Sequence, residues 1–252
     1  VARFFVDPAQ FRDEKVHISG EDVKHITKVL RLQPGDHITV CDGLGCDFLV
    51  EIREMNRDEV TGAILEKGVN PAEPPIGVTL IQGLPKGEKF ELIIQKCTEL
   101  GISRIIPVSM ERSVVQLDAR KAEARRERWQ RVAAEAAKQC QRGRIPQVDK
   151  LCNWNDLWDM IPPDSLLIMP WEVEKEQGLK EVLDKQTGKR RNIYLIIGPE
   201  GGIAPREAEA VLAKGAFSVT LGPRILRTET AGLAVLAIIM YQLGDLGGLS
   251  SV

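Results

Sequence analysis

Three prolines within six residues, Pro71, Pro74 and Pro75, cut the sequence in two. Proline has no amide hydrogen to give a ladder and its ring fixes φ, so neither a strand nor a helix runs through this point. The two sides differ in texture, which predicts two domains, residues 1–72 and 73–252. Before the break come short apolar runs at 4–6, 37–40, 48–52 and 60–64, separated by Pro34-Gly35 and Asp42-Gly43 turns. That pattern predicts a small barrel or sandwich. One helix is expected inside it over 21–32, with Ile26, Val29 and Leu30 turned inward.

After the break, strands alternate with helices, as in a mostly parallel α/β sheet. Strands are expected at 78–82, 104–108, 166–169, 193–197 and 217–221. Helices are expected at 88–100, 119–141, 205–214 and from 228 onward. The helix over 205–214 has Pro205 in its first turn and Gly215 just past its end, the usual asymmetry.

Composition removes several function classes. Five scattered cysteines with no C-x-x-C pair fit neither a disulfide framework nor a zinc knuckle, so a reducing cytoplasm is the expected compartment. Three histidines, all within the first 37 residues, make a metal site improbable, and none is expected. No charged segment leads into an apolar run at the N-terminus, so no secretory signal is expected. The longest apolar stretch, residues 231–243, is too short to span a bilayer and reads as a core helix. A net charge of −2 announces no nucleic-acid partner, so any RNA affinity must be local.

Two glycine-bearing segments each follow a buried strand and precede a helix. One runs Ile197-Gly198-Pro199-Glu200-Gly201-Gly202; the other runs Leu221-Gly222-Pro223-Arg224-Ile225-Leu226-Arg227-Thr228-Glu229-Thr230-Ala231. Loops at the carboxyl ends of parallel strands are where such sheets hold ligands, and glycine lets a ligand approach the backbone. Neither segment is a phosphate cradle: G-x-x-x-x-G-K-[ST] and G-x-G-x-x-G are both absent. Glu200 would repel a phosphate but suits a cationic or hydrogen-bond-donating ligand.

These two segments closely resemble the cofactor motifs of the 16S ribosomal RNA uracil-N3-methyltransferases, within the SPOUT class. The resemblance extends to His25-Ile26-Thr27-Lys28-Val29-Leu30-Arg31, to Gln95-Lys96-Cys97-Thr98-Glu99-Leu100-Gly101, to Glu111-Arg112-Ser113 and to Glu135-Ala136-Ala137-Lys138-Gln139-Cys140. It implies an RNA-binding PUA-like β-barrel, then an α/β domain with a C-terminal trefoil knot that patterning alone does not reveal. It further implies a homodimer, S-adenosyl-L-methionine as methyl donor, and N3 of uridine 1498 in 16S rRNA of the small ribosomal subunit as target. Donor contacts are implied at Ile197, Gly198, Pro199, Glu200, Gly201, Gly202, Leu221, Gly222, Ile225, Leu226, Thr228, Thr230 and Ala231, with Met169 at an earlier strand end. One departure is visible. Ala204 stands where the family often has Ser or Thr as a helix cap, a local cost of about 1 kcal/mol, while Glu207 remains.

Methylating N3 requires loss of its imide proton, so a cation that stabilises the developing anion is needed. Arg227 is the first candidate, against a structural pairing with Glu200 or Glu229. Arg112 is the second, against a solvated surface charge. Glu229 is a candidate base, against an ordinary acidic residue at a helix start. No residue must be the base, and solvent can take the proton.

For RNA, His25, Lys28 and Arg31 recur at three-residue spacing and could track phosphates; a solvated face explains the same pattern. Arg3 and Arg224 are further candidates. Residues 119–144 carry nine Lys/Arg against three Glu, a net of +6, whereas residues 1–70 carry nine against thirteen, a net of −4. Two rivals stand: a related knotted enzyme acting on another RNA atom, and a non-catalytic ribosome-assembly protein that kept the fold.

Overall fold

Strand β1 (Arg3–Phe5) lies parallel to β4 (His37–Cys41), and the remaining pairs of the first sheet are antiparallel. The other members are β2 (Phe11–Arg12), β3 (Lys15–Ser19), β5 (Cys46–Met55) and β6 (Glu59–Val69), and the order is β1-β4-β5-β6-β3-β2. The computed structural model from which these elements come describes residues 2–186 and 192–248. Contacts divide the chain into two units: Val1–Glu73 with Ala137–Ile145, and Pro74–Ala136 with Pro146–Val252.

In the first unit, alternation along β3 and β4 places Val16, Ile18, Ile38 and Val40 in a core with Phe4, Val50 and Ile52. One six-stranded sheet forms, so of barrel and sandwich the two-sheet alternative is not adopted. Sequence patterning misses β2 and β3, because a strand of two residues and one whose alternation covers only Val16 and Ile18 are too short to stand out.

The helix expected over 21–32 is a correction. It is regular only as α1 (Glu21–Lys24), then becomes a π-helical turn over His25–Val29, with the Leu30 N–H donating to His25 O at 2.9 Å. The chain leaves through Arg31 at φ 53°. An i→i+5 turn moves residues off the face that a 3.6 period assigns them. Ile26 is buried as expected, but Val29 and Leu30 are 69% and 39% exposed.

The proline run has a specific partner that no local pattern indicates. Glu73 Oε1 accepts the Gly143 and Arg144 N–H groups at 2.9 and 2.8 Å, and Arg142 Nη2 pairs with Glu73 Oε2 at 2.9 Å, fixing residues 141–144 to the first unit.

The second unit is built on a parallel sheet. Its strands are β7 (Gly77–Gly83), β8 (Arg104–Ser109), β9 (Gln147–Val148), β10 (Cys152–Asn153), β11 (Leu166–Pro170), β12 (Asn192–Ile197) and β13 (Phe217–Val219). The order is β10-β8-β7-β12-β11-β13, with β9 also on β8. Residues 78–83 of β7 are all buried, as befits a strand covered on both faces. Helices α2 (Lys89–Glu99), α3 (Ala119–Gln139), α4 (Leu179–Asp184), α5 (Pro205–Ala213) and α6 (Thr228–Leu243) follow the strands. The expected strand at 217–221 ends at Val219, because residues 220–227 turn back as a loop.

β11 precedes β12 in the chain yet lies between β12 and β13. From β13 the chain returns to pack α6 against α2 and β12. This curled arrangement is consistent with the trefoil-knot topology that the resemblance implies for the second domain. Among the described residues, no helix is long and apolar enough to cross a membrane.

Candidate active site

At the carboxyl ends of β11, β12 and β13, where parallel sheets hold ligands, the chain opens a cavity of about 970 Å³, lined by those strand ends, the loops after them and Lys89. Of the residues grouped by sequence as donor contacts, Ile197, Gly198, Pro199, Glu200, Gly201, Gly202, Leu221, Gly222, Ile225, Leu226, Thr228 and Ala231 all line it. Met169 and Thr230 do not. Met169 is fully buried in the core, and Thr230 is exposed in the first turn of α6.

The two glycine loops are fastened together by a residue that the motifs do not include. Gln82, at the end of β7 and fully buried, donates from Nε2 to Thr228 Oγ1 at 2.9 Å. Thr228 in turn donates to Gly198 O at 2.6 Å. A single strand end thus holds the first loop and the start of α6 in register. The signal was present as one amide within the apolar run Val78-Thr79-Leu80-Ile81-Gln82.

Glycine is required here by close approach. A Cβ on Gly198 would lie 2.9 Å from the Gly202 carbonyl carbon. One on Gly201 would lie 2.9 Å from Arg112 Cβ and 3.2 Å from Arg112 O. Gly222 has φ +97°, with open space where its Cβ would stand.

The helix after the first loop keeps half of a capping box. Alanine at 204 offers no acceptor, as the sequence indicates, but Glu207 Oε2 accepts the Ala204 N–H at 3.1 Å. Glu207 Oε1 also takes the Glu111 N–H at 2.8 Å, which joins the Arg112 segment to α5. Glu207→Ala leaves both N–H groups without an acceptor, so unfolding stability is expected to fall by about 1–3 kcal/mol. A denaturant midpoint equal to that of the parent protein would remove this tie from the account.

The charged candidates separate clearly. Lys89, the first residue of α2, pairs with Glu200 Oε1 at 3.1 Å and Glu229 Oε2 at 3.3 Å. Its hydrogen bond to Glu200 leads the contacts that raise its pKa. Burial pushes the Glu200 carboxyl up, but its own backbone N–H, Lys89 and the Lys86 N–H outweigh that and hold it below the ordinary value. Both carboxylates weighed as partners of Arg227 are thus engaged with Lys89. Arg227 makes no ion pair among the described residues, is exposed, and lines the cavity.

Arg112 lies outside the lining; its Nη1 donates to Gly201 O at 3.1 Å, bracing the first loop. Glu174, which the sequence did not single out, lies on the cavity wall. Its carboxyl is held at about 2 by the Ser218 hydroxyl first and then by the N–H groups of Glu176, Gln177 and Lys175.

The RNA candidates differ in what surrounds them. Arg3 is paired with Asp47 at 2.6 Å, with 18% of its side chain exposed. His25, Lys28 and Arg31 are exposed, but the π-helical turn removes the shared helical face. Arg224 is exposed at the cavity. In the basic stretch, Arg126, Arg128 and Arg142 pair with Glu123, Glu91 and Glu73, which lowers the charge left for phosphates. Among the described residues no cluster of three His, Cys, Asp or Glu side chains could hold a metal.

The RNA methyltransferase domain family matches residues 72–240, and the RNA methyltransferase PUA domain matches residues 18–65. The ribosomal RNA small subunit methyltransferase E of Bacillus subtilis is 36% identical over 246 residues, spanning 95% of this chain and 96% of its own. The protein of the same description from Mycobacterium bovis is 31% identical, spanning 94% and 90%. A crystal structure of a ribosomal RNA small subunit methyltransferase E from Neisseria gonorrhoeae bound to S-adenosyl methionine superposes with a TM-score of 0.83 at 31% identity, over 97% of this chain and 98% of that one. Cavity, fold and likeness over nearly the whole length agree, and the chain belongs to the RNA methyltransferase family, among the ribosomal RNA small subunit methyltransferases E.

Proposed function

We propose that this protein transfers a methyl group from S-adenosyl-L-methionine to N3 of uridine 1498 in bacterial 16S rRNA, acting in the cytoplasm on the small ribosomal subunit. The observation that carries the reading is an unpaired arginine, Arg227, on the wall of a cavity framed by two glycine loops. The residues present fit the donor. Ile197, Leu226 and Pro170 offer apolar wall, and the two glycine loops let a ligand reach the backbone. The volume lies at the upper end of the range of small-molecule sites, about 300–1,000 Å³.

When bound, the donor supplies a methyl group on a sulfonium centre, so the protein's work is alignment and charge stabilisation. In this scheme Arg227 donates hydrogen bonds to a uracil carbonyl beside N3, stabilising the anion left as the imide proton departs to solvent. Gln82 and Thr228 hold the loops at fixed separation, and Arg112 steadies the first from outside. Glu229 has a defined task as a partner of Lys89, so the reading needs no side-chain base. Calorimetry with S-adenosylmethionine tests the site: saturable heat at one site per chain is expected, and absence of heat favours the non-catalytic alternative.

The homodimer is part of the same proposal. α6 is apolar on nearly every side, a composition suited to burial, yet Ile238 and Tyr241 are 43% and 70% exposed. Leu92 on the neighbouring α2 is also exposed, and a second copy would cover this face. Tyr241→Glu is expected to shift the protein from dimer to monomer in sedimentation. A parent protein that sediments as a monomer contradicts the assembly.

A further inference from the structure

We propose that Lys89 is a positioning residue that keeps Glu200 and Glu229 off Arg227, leaving the guanidinium available to the substrate; this rests on the methyl-transfer reading above. Arg227 is the N-cap residue of α6 and Glu229 lies in the same helix's first turn. Glu200 faces the same cavity as Arg227. An arginine beside two carboxylates is drawn into a charge-assisted, often two-pronged pairing. A guanidinium so engaged has fewer donors for a developing anion.

The observed arrangement avoids that outcome. The Lys89 ammonium contacts one oxygen of each carboxylate, and Glu200 also accepts the Lys86 N–H at 3.1 Å. Lysine suits the task because its three donors surround a compact charge that bridges two acceptors on different elements. The same bridge joins the start of α2, the first glycine loop and the start of α6. Its loss leaves Glu200, on the cavity wall with Arg227, and Glu229, in the helix turn that follows Arg227, without their shared cation.

The test compares the parent enzyme with Lys89→Met, Lys89→Arg and Lys89→Met combined with Glu229→Gln. Methyl transfer to unmodified small subunits and a crystal structure of each ligand-free variant are the two readouts. Lys89→Met is expected to lower kcat by roughly 10–100-fold, the range of one charge-assisted hydrogen bond, with little change in the donor KM. Its crystal structure should show Arg227 turned onto Glu200 or Glu229. Lys89→Arg should keep both ion pairs and most of the turnover, and the double variant should recover part of the loss. Parental turnover in Lys89→Met, or an Arg227 still unpaired in its structure, overturns the inference while leaving the parent reading intact. A parent enzyme without turnover overturns both.

Discussion

Arg227→Ala is expected to lower the rate of methyl transfer by about 10²–10³-fold, the usual effect of removing one preorganised donor from a developing charge. Affinity for S-adenosylmethionine should stay close to that of the parent, because the account assigns the guanidinium to the base and the backbone loops to the donor. The sequence leaves a structural pairing of Arg227 with Glu200 or Glu229 open; in the fold, Lys89 pairs with both carboxylates. Quench-flow turnover beside a calorimetric titration of the donor separates the two effects. Unchanged turnover retires Arg227, and equal losses in turnover and donor affinity make it a cofactor contact instead.

Gly201→Val should cripple the same enzyme by a different route. The sequence suggests that a side chain at 201 would intrude on the donor directly. The geometry gives another cause, since the new Cβ meets Arg112 Cβ and the Arg112 carbonyl at 2.9 and 3.2 Å. Neither neighbour is the flexible end of a side chain, so the loop itself must move. Such overpacking costs about 1–3 kcal/mol, or about 5–150-fold in donor affinity if it falls on the bound state. The Arg112 bond to Gly201 O is lost with it. Donor titration of the folded variant checks this, and parental affinity would show that the loop is not the donor's seat.

How far the sequence reached depended on whether a feature is local. Five strands of the second unit, β7, β8, β11, β12 and β13, are legible because apolar runs between helices have few other outcomes, whereas β9 and β10, of two residues each, leave no such run. The glycine loops are legible because their residues are contiguous. Gln82 and Lys89 went unnoticed because their roles exist only across elements: Gln82 meets Thr228 far along the chain, and Lys89 joins residues of two loops. The first unit failed at the π-helical turn, where one changed hydrogen-bond register exposes Val29 and Leu30. Likewise, Arg3 is a candidate for RNA on sequence, and in the fold Asp47 pairs with it.

The most direct test of the account incubates purified protein and labelled S-adenosylmethionine with small ribosomal subunits lacking the modification, then maps the label to a nucleoside and an atom. Label on N3 of the single uridine 1498 is the predicted result. Label on a ribose oxygen or another base, or no transfer from an enzyme that is folded and binds the donor, contradicts it.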